Sequence, residues 1–216
     1  MFNKRNLKLA ATRPLKQQFG SVLLETMDFR IFTWVFMNIV LIGYRGSGKS
    51  TVGKKSAGRL GMKFVDTDDL LQREHRMSIR EIVEACGWEY FRAAEKRLIG
   101  EIALKNHLVI ASGGGAVLDA ENVTALRRNG LMIWLRADSQ TLLRRMGEDP
   151  QTLGCRPSLT GKRLSEEIGE LLTYRNQFYK RAAAFEIDTS AMGVETVVQH
   201  ILELCRNNTT PPVEKT

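Results

Sequence analysis

From residue 38 onward, short apolar runs alternate with longer stretches of helical period. The apolar runs are 38–42 (NIVLI), 63–65, 108–111, 131–135 and 185–187. Each is short, carries at least one β-branched residue and is followed by glycine or a polar residue, which predicts strands. Between them, 49–60 spaces Val52, Ser56 and Leu60 along one face. Ser78 and Glu81 form an S-x-x-E capping box ahead of Ile82 and Val83, and 88–105 carries Phe91, Leu98 and Ile102 on one side. Helical patterns over 119–128, 138–146, 164–182 and 194–206 complete the series. Strand–helix alternation of this kind predicts an α/β fold of three layers, a five-stranded parallel sheet between two layers of helices. Ligands of such folds bind at the carboxyl edge of the sheet.

Residues 1–36 do not share the pattern. They carry Lys4, Arg5, Lys8, Arg13, Lys16 and Arg30 against Glu25 and Asp28, half of the net charge of the whole chain. The run IFTWVFM at 31–37 is apolar but too short to span a membrane, and no small-residue cleavage site follows. An organelle transit segment and a start of the functional chain at Met37 are both open, and the second is preferred because a strand begins at once. The expected organisation is therefore an atypical basic extension over 1–36, one domain over 37–207, and a frayed polar tail over 208–216.

The chain has 216 residues, of which 43% are hydrophobic and 26% charged. These values exclude a disordered or collagen-like chain. The net charge of +8 suits nucleic acid, a membrane surface or a phosphorylated small molecule. Much of it sits in the extension, and no aromatic–basic stacking motif appears, so nucleic acid is not expected. No run is long enough for a membrane span. Cys86, Cys155 and Cys205 are odd in number and lack a C-x-x-C spacing, which points to a reducing, cytoplasmic compartment. His75, His107 and His200 are scattered without metal-ligand spacing, and Trp134 reads as core.

Gly43-Tyr44-Arg45-Gly46-Ser47-Gly48-Lys49-Ser50 matches G-x-x-x-x-G-K-[ST], with a strand before it and a helix after. Glycines let backbone amides curl around phosphate oxygens, and the next helix aims its positive N-terminus at them. Lys49 reaches the β- and γ-phosphates, and the Ser50 hydroxyl binds Mg²⁺. Asp66 lies 23 residues after Gly43, as in a dinucleotide fold. The spacing G-x-x-G-x-G followed by Lys-Ser nevertheless selects a nucleoside triphosphate. After the second strand, Asp66-Thr67-Asp68-Asp69 offers carboxylates at i and i+2, one for a metal-bound water and one for a hydroxyl proton. Alternatively, Asp68 or Asp69 caps a helix over 70–75.

The phosphate loop at 43–51, D-T-D at 66–68, S-I-x-E-I at 78–82, F-R-x-x-E at 91–95 and G-G-G-A-V at 113–117 together resemble shikimate kinase. Arg156-Pro157-Ser158-Leu159 and Tyr174-Arg175 extend the resemblance, which covers roughly 37–204 with order and spacing kept. It implies a phosphate-loop kinase fold with a mobile lid within 147–163. It implies transfer of the ATP γ-phosphoryl to the 3-hydroxyl of shikimate, on the route to chorismate and the aromatic amino acids.

By the same resemblance Lys49, Asp68 and Arg156 are catalytic. Arg45, Gly46, Ser47, Gly48, Lys49, Ser50, Thr51 and Arg156 hold the nucleotide, and Ser50 and Asp66 hold Mg²⁺. Asp68, Arg92, Gly113, Gly114, Gly115 and Arg175 receive the acid, with Glu95 in support. A guanidinium pairs with a carboxylate in a planar fork that lysine cannot copy. Without the resemblance, Arg92 and Glu95 read as a surface i,i+3 ion pair. Arg144 and Arg145 end the preceding helix, and one of them is expected to face the nucleotide. The stretch 188–193 (DTSAMG) lacks the arginine or proline that family members often carry near adenine. The expected partners are shikimate and ATP, and the expected state is a monomer in the cytoplasm. A gluconate-type sugar-acid kinase and a non-catalytic relative are the alternatives; paired D-T-D, Arg92 and the glycine run oppose the first, and retention of Lys49, Asp68 and Arg156 opposes the second.

Overall fold

The computed structural model describes residues 37–148 and 163–207. The expectations for 1–36, for the tail, for Arg156 and for most of the lid fall outside the described residues.

The elements in chain order are β1 (Asn38–Ile42), α1 (Lys49–Leu60), β2 (Lys63–Asp66), α2 (Thr67–His75), α3 (Ile79–Ala103) and β3 (Leu108–Ala111). A 3₁₀ turn (Ala116–Leu118) leads to α4 (Ala120–Arg128), β4 (Gly130–Arg136), α5 (Ser139–Glu148), α6 (Leu164–Ala182), β5 (Phe185–Asp188) and α7 (Val194–Asn207). The five strands form one sheet in the order β2-β3-β1-β4-β5, and every pairing is parallel. The three-layer expectation holds.

The layers follow from side-chain alternation on the strands. In β1, Ile39 and Leu41 face one way, packing with Val52 of α1 and with Val198, Ile201 and Leu202 of α7. Val40 and Ile42 face the other way, packing with Leu71, Ile82, Phe91, Ile99 and Tyr179. Because both faces are covered, every residue of β1 and β3 is buried, as a central parallel strand requires. Trp134 of β4 is core as expected and stacks on Tyr179 of α6, with ring centroids 5.7 Å apart.

Two boundaries differ from expectation. The capping box at Ser78 starts α3, with the Ser78 side chain accepting from the Glu81 amide and Glu81 answering the Ser78 amide. The helical trace then runs to Ala103, interrupted at Gly87 (φ 84°), where only glycine is unstrained. The second helix, α2, starts at Thr67 rather than near residue 70, because its N-cap is Asp66. The Asp66 carboxylate accepts from the amides of Asp68 and Asp69. This corrects the alternative in which Asp68 or Asp69 is the cap. Asp68 is left with its carboxyl directed elsewhere.

β1 lies between β3 and β4; the connection after β1 runs to β2 on one side, and the connection after β3 crosses to β4 on the other. That is the switch point where an open α/β sheet leaves a crevice at its carboxyl edge. The turns after β1, β2, β3 and β5 all come to this edge.

Candidate active site

The turn after β1 is built for close approach. Gly46 (φ 77°) and Gly48 (φ 93°) hold left-handed backbone, which L side chains rarely adopt. Gly48 is also the N-cap of α1 and offers no side chain there, so the first amides of α1 are open to a ligand. Lys49 is buried, and its ammonium donates to the Tyr44 carbonyl at 2.8 Å. The lysine is thus folded back over its own loop. The Ser50 hydroxyl donates to Asp66 Oδ2 at 2.6 Å, while Asp66 Oδ1 accepts from the Asp68 amide at 3.0 Å.

A cleft of about 720 Å³ opens over this loop. Arg45 to Thr51 line it, with Asp66, Asp68, Asp69, Ser112 and Gly114 on one side. Arg145, Thr189 and Met192 line the far end. Asp69 is held above the usual carboxylate range, first by burial and then by the neighbouring Asp66 charge. The Arg145 guanidinium donates to the Thr189 hydroxyl at 3.0 Å and the Thr189 carbonyl at 2.6 Å; its pKa is lowered by burial. Arg144 is exposed, pairs with Glu148 at 3.7 Å and does not line the cleft. Of the two arginines ending α5, Arg145 is therefore the one at the cleft.

The expected acid-binding residues Arg92, Gly113, Gly115 and Arg175 do not line this cleft. They adjoin it through Asp68 and Gly114. The turn after β3 packs too tightly for side chains. A Cβ on Gly113 would lie 2.5 Å from Glu95 Oε1 and 2.9 Å from Asp68 Oδ1. A Cβ on Gly115 would lie 2.5 Å from Arg92 Nη2. The Gly113 amide donates to the Thr67 hydroxyl at 2.9 Å, which ties this turn to the start of α2.

Arg92 donates to Glu95. The pair is not the exposed one that i,i+3 spacing alone suggests, because Glu95 is 1% exposed while the Arg92 side chain keeps 36%. The guanidinium also lies 5.5 Å and 5.2 Å from the ring centres of Trp88 and Phe91. Glu95 and the two rings thus hold one side of the fork, and Nη2 lies beside the Gly115 turn. Arg175 is buried and donates to the Gly114 carbonyl at 3.4 Å, beside the Tyr179 hydroxyl, which donates to the same oxygen at 2.5 Å.

Several site neighbours were not legible in the motifs. Glu167 is buried and pairs with Arg45 of the phosphate loop at 2.9 Å. Tyr44 lies beside both Arg45 and Arg175. Thr67, Tyr179 and Thr189 hold the turns in place. The one available signal was the spacing 167, 171, 175, 179, which is one face of a helix. Among the described residues no cluster of His, Cys, Asp and Glu has the form of a metal centre, and no helix is long and apolar enough to cross a membrane.

The family model for shikimate kinase matches residues 45–206. Shikimate kinase 2 of Yersinia pestis (strain Pestoides F) is 41% identical over 164 residues, covering 74% of this chain and 93% of the relative. The shikimate kinase of Acinetobacter baumannii, solved in complex with shikimate, superposes with a TM-score of 0.76 at 31% identity, over 83% of this chain and 98% of that one. The shikimate kinase of Bacteroides thetaiotaomicron gives a TM-score of 0.69 at 30% identity, over 78% and 98%. With its phosphate loop, its carboxylates and its glycine turn on one sheet edge, this chain belongs to the shikimate kinase family.

Proposed function

We propose that this chain transfers the γ-phosphoryl group of ATP to the 3-hydroxyl of shikimate, giving shikimate 3-phosphate on the route to aromatic compounds. One arrangement carries the reading. Asp68 lines the phosphate cleft and also faces Gly113 across a gap too small for a methyl group. It therefore touches the nucleotide region and the turn assigned to the acid.

In this reading Asp68 orients the acceptor hydroxyl and takes its proton. Lys49 and the open amides of α1 hold the phosphates. Arg92 and Arg175 grip the carboxylate with planar forks. Arg156 is the proposed closing cation, offsetting charge during transfer. Ser50 and Asp66 present oxygen donors side by side at the cleft, a donor type that suits Mg²⁺. When bound there, Mg²⁺ would neutralise charge on the phosphates. A monomer working in the cytoplasm, with residues 37–207 as the catalytic unit, completes the reading.

The test is ADP release measured with ATP and either shikimate or gluconate as acceptor. Turnover with shikimate is expected, and turnover with gluconate alone would defeat the substrate assignment. Lys49→Ala should abolish turnover while melting as the wild type does.

A further inference from the structure

Helix α6 carries Glu167, Leu171, Arg175 and Tyr179 at spacings of four, on one face. This face meets both halves of the site. Glu167 pairs with Arg45, whose side chain is 16% exposed against 1% for the carboxylate. Arg175 and Tyr179 hold the Gly114 carbonyl. Between these ends lies Tyr44, which is 3% exposed. The guanidinium carbons of Arg45 and Arg175 stand 5.9 Å and 5.8 Å from its ring centre, within cation–π range. The Tyr44 carbonyl also receives the Lys49 ammonium. A displacement of Arg45 would therefore be felt by Tyr44, by Lys49 and by Arg175.

We propose that Glu167 is a positioning residue for phosphoryl transfer: its buried carboxylate fixes Arg45 and, through the Tyr44 ring, keeps the phosphate loop in register with the Arg175 end of the acid site. The inference rests on the kinase reading for its substrates. Arg45 lines the cleft and Glu167 does not, so Glu167 acts through Arg45. A carboxylate buried beside the phosphate loop would repel the nucleotide if it were not neutralised, and the Arg45 guanidinium supplies the opposite charge at 2.9 Å.

The experiment uses the full chain with Glu167→Gln, Arg45→Met and the double variant. ATP and shikimate are varied separately, ADP affinity is measured by calorimetry, and melting temperatures are recorded. For Glu167→Gln, KM for ATP should rise about tenfold and KM for shikimate about threefold, as for loss of one charge-assisted hydrogen bond. In the Arg45→Met background the same change should add less than about twofold, because contacts in one network are not additive. Wild-type KM values in a destabilised Glu167→Gln protein would reduce Glu167 to a structural role and overturn the proposal, as would full multiplication of the two effects. If Glu167→Gln does not fold, Glu167→Met combined with Arg45→Met replaces the pair by apolar groups, a change that cores tolerate. Its KM values should match those of Arg45→Met alone, and a further rise above about threefold overturns the proposal. If the wild type does not phosphorylate shikimate, the kinase reading fails by itself. ADP affinity then still decides the matter: it should fall about tenfold in Glu167→Gln, and unchanged affinity overturns the proposal.

Discussion

Ser50 and Asp66 share a 2.6 Å hydrogen bond across the gap between α1 and β2, and the other oxygen of the same carboxylate caps α2. One carboxylate thus serves two elements. It locks the phosphate loop to the second strand, and it sets the direction in which Asp68 leaves the backbone. The two duties are separable by substitution.

Asparagine is as good an N-cap as aspartate, whereas alanine is not. Asp66→Asn should therefore melt close to the wild type. Asp66→Ala should lose about 1 kcal/mol of cap energy, or roughly 2–4 °C in a chain of this size. Both remove the charge beside Ser50, so both should raise the Mg²⁺ concentration for half-maximal turnover by about 10–100-fold. Thermal melts and Mg²⁺ titrations check the pair. An unchanged Mg²⁺ requirement in both would leave Asp66 as a cap only.

Asp68→Asn and Arg92→Lys should fail in different ways. Asparagine keeps the size of Asp68 but is not a base, so kcat should fall by about 10²–10⁴ with a modest change in KM. Lysine at 92 keeps the charge but loses the fork that Glu95 and the Trp88 and Phe91 rings hold in place. KM for shikimate should then rise about tenfold to a hundredfold while ATP binding stays level. Steady-state kinetics with each substrate varied in turn give the answer, and an unchanged acid KM removes Arg92 from the clamp.

The glycines after β3 separate fold from function in the same manner. Gly115→Ala places a methyl group against the tip of the Arg92 side chain, the far end of a flexible chain, which can give way only by loosening its hold on Glu95. The protein should fold and bind shikimate poorly. Gly113→Ala meets the buried Glu95 carboxylate and Asp68, neither of which can retreat freely. Overpacking of this kind costs about 1–3 kcal/mol, so this variant should also lose melting temperature. Equal melting and equal acid KM in both would show that the turn tolerates side chains.

The central strands were legible because a parallel sheet covered on both faces needs uninterrupted apolar runs, which β1 and β3 supply from Ile39 to Ile42 and from Leu108 to Ala111. The phosphate loop was legible because its spacing is chemically constrained. The cap of α2 was not, since three neighbouring aspartates, Asp66, Asp68 and Asp69, have the same local preference; only the fold decides which one meets the free amides. The burial of Glu95 was hidden for a similar reason. An i,i+3 pair has the same spacing on a surface as beneath the Gly113 turn. Glu167 and Arg45 lie 122 residues apart, and no local pattern links them.

The folded unit is expected to begin at Met37. Met37 is 8% exposed and packs with Ile39, Leu131 and Leu202. Asn38 then pins the start of β1. Its side-chain amide donates to the Lys105 carbonyl at 2.7 Å, and its side-chain oxygen accepts from the Leu108 amide at 2.9 Å. Its own amide donates to the Asn129 carbonyl at 2.8 Å. Among the described residues, the edge of the core thus begins at residues 37 and 38. If residues 37–207 are the catalytic unit, a chain starting at Met37 should keep kcat/KM within about twofold of the full chain. Asn38→Ala in that shortened chain leaves the buried Leu108 amide without its acceptor, at a cost of about 1–3 kcal/mol. Its melting temperature should drop by roughly 2–4 °C for each kcal/mol lost. Turnover assays and melts on both proteins, under matched conditions, test the boundary. If the chain starting at Met37 is insoluble or loses most of its activity, residues 1–36 are part of the catalytic unit and the boundary at Met37 is wrong.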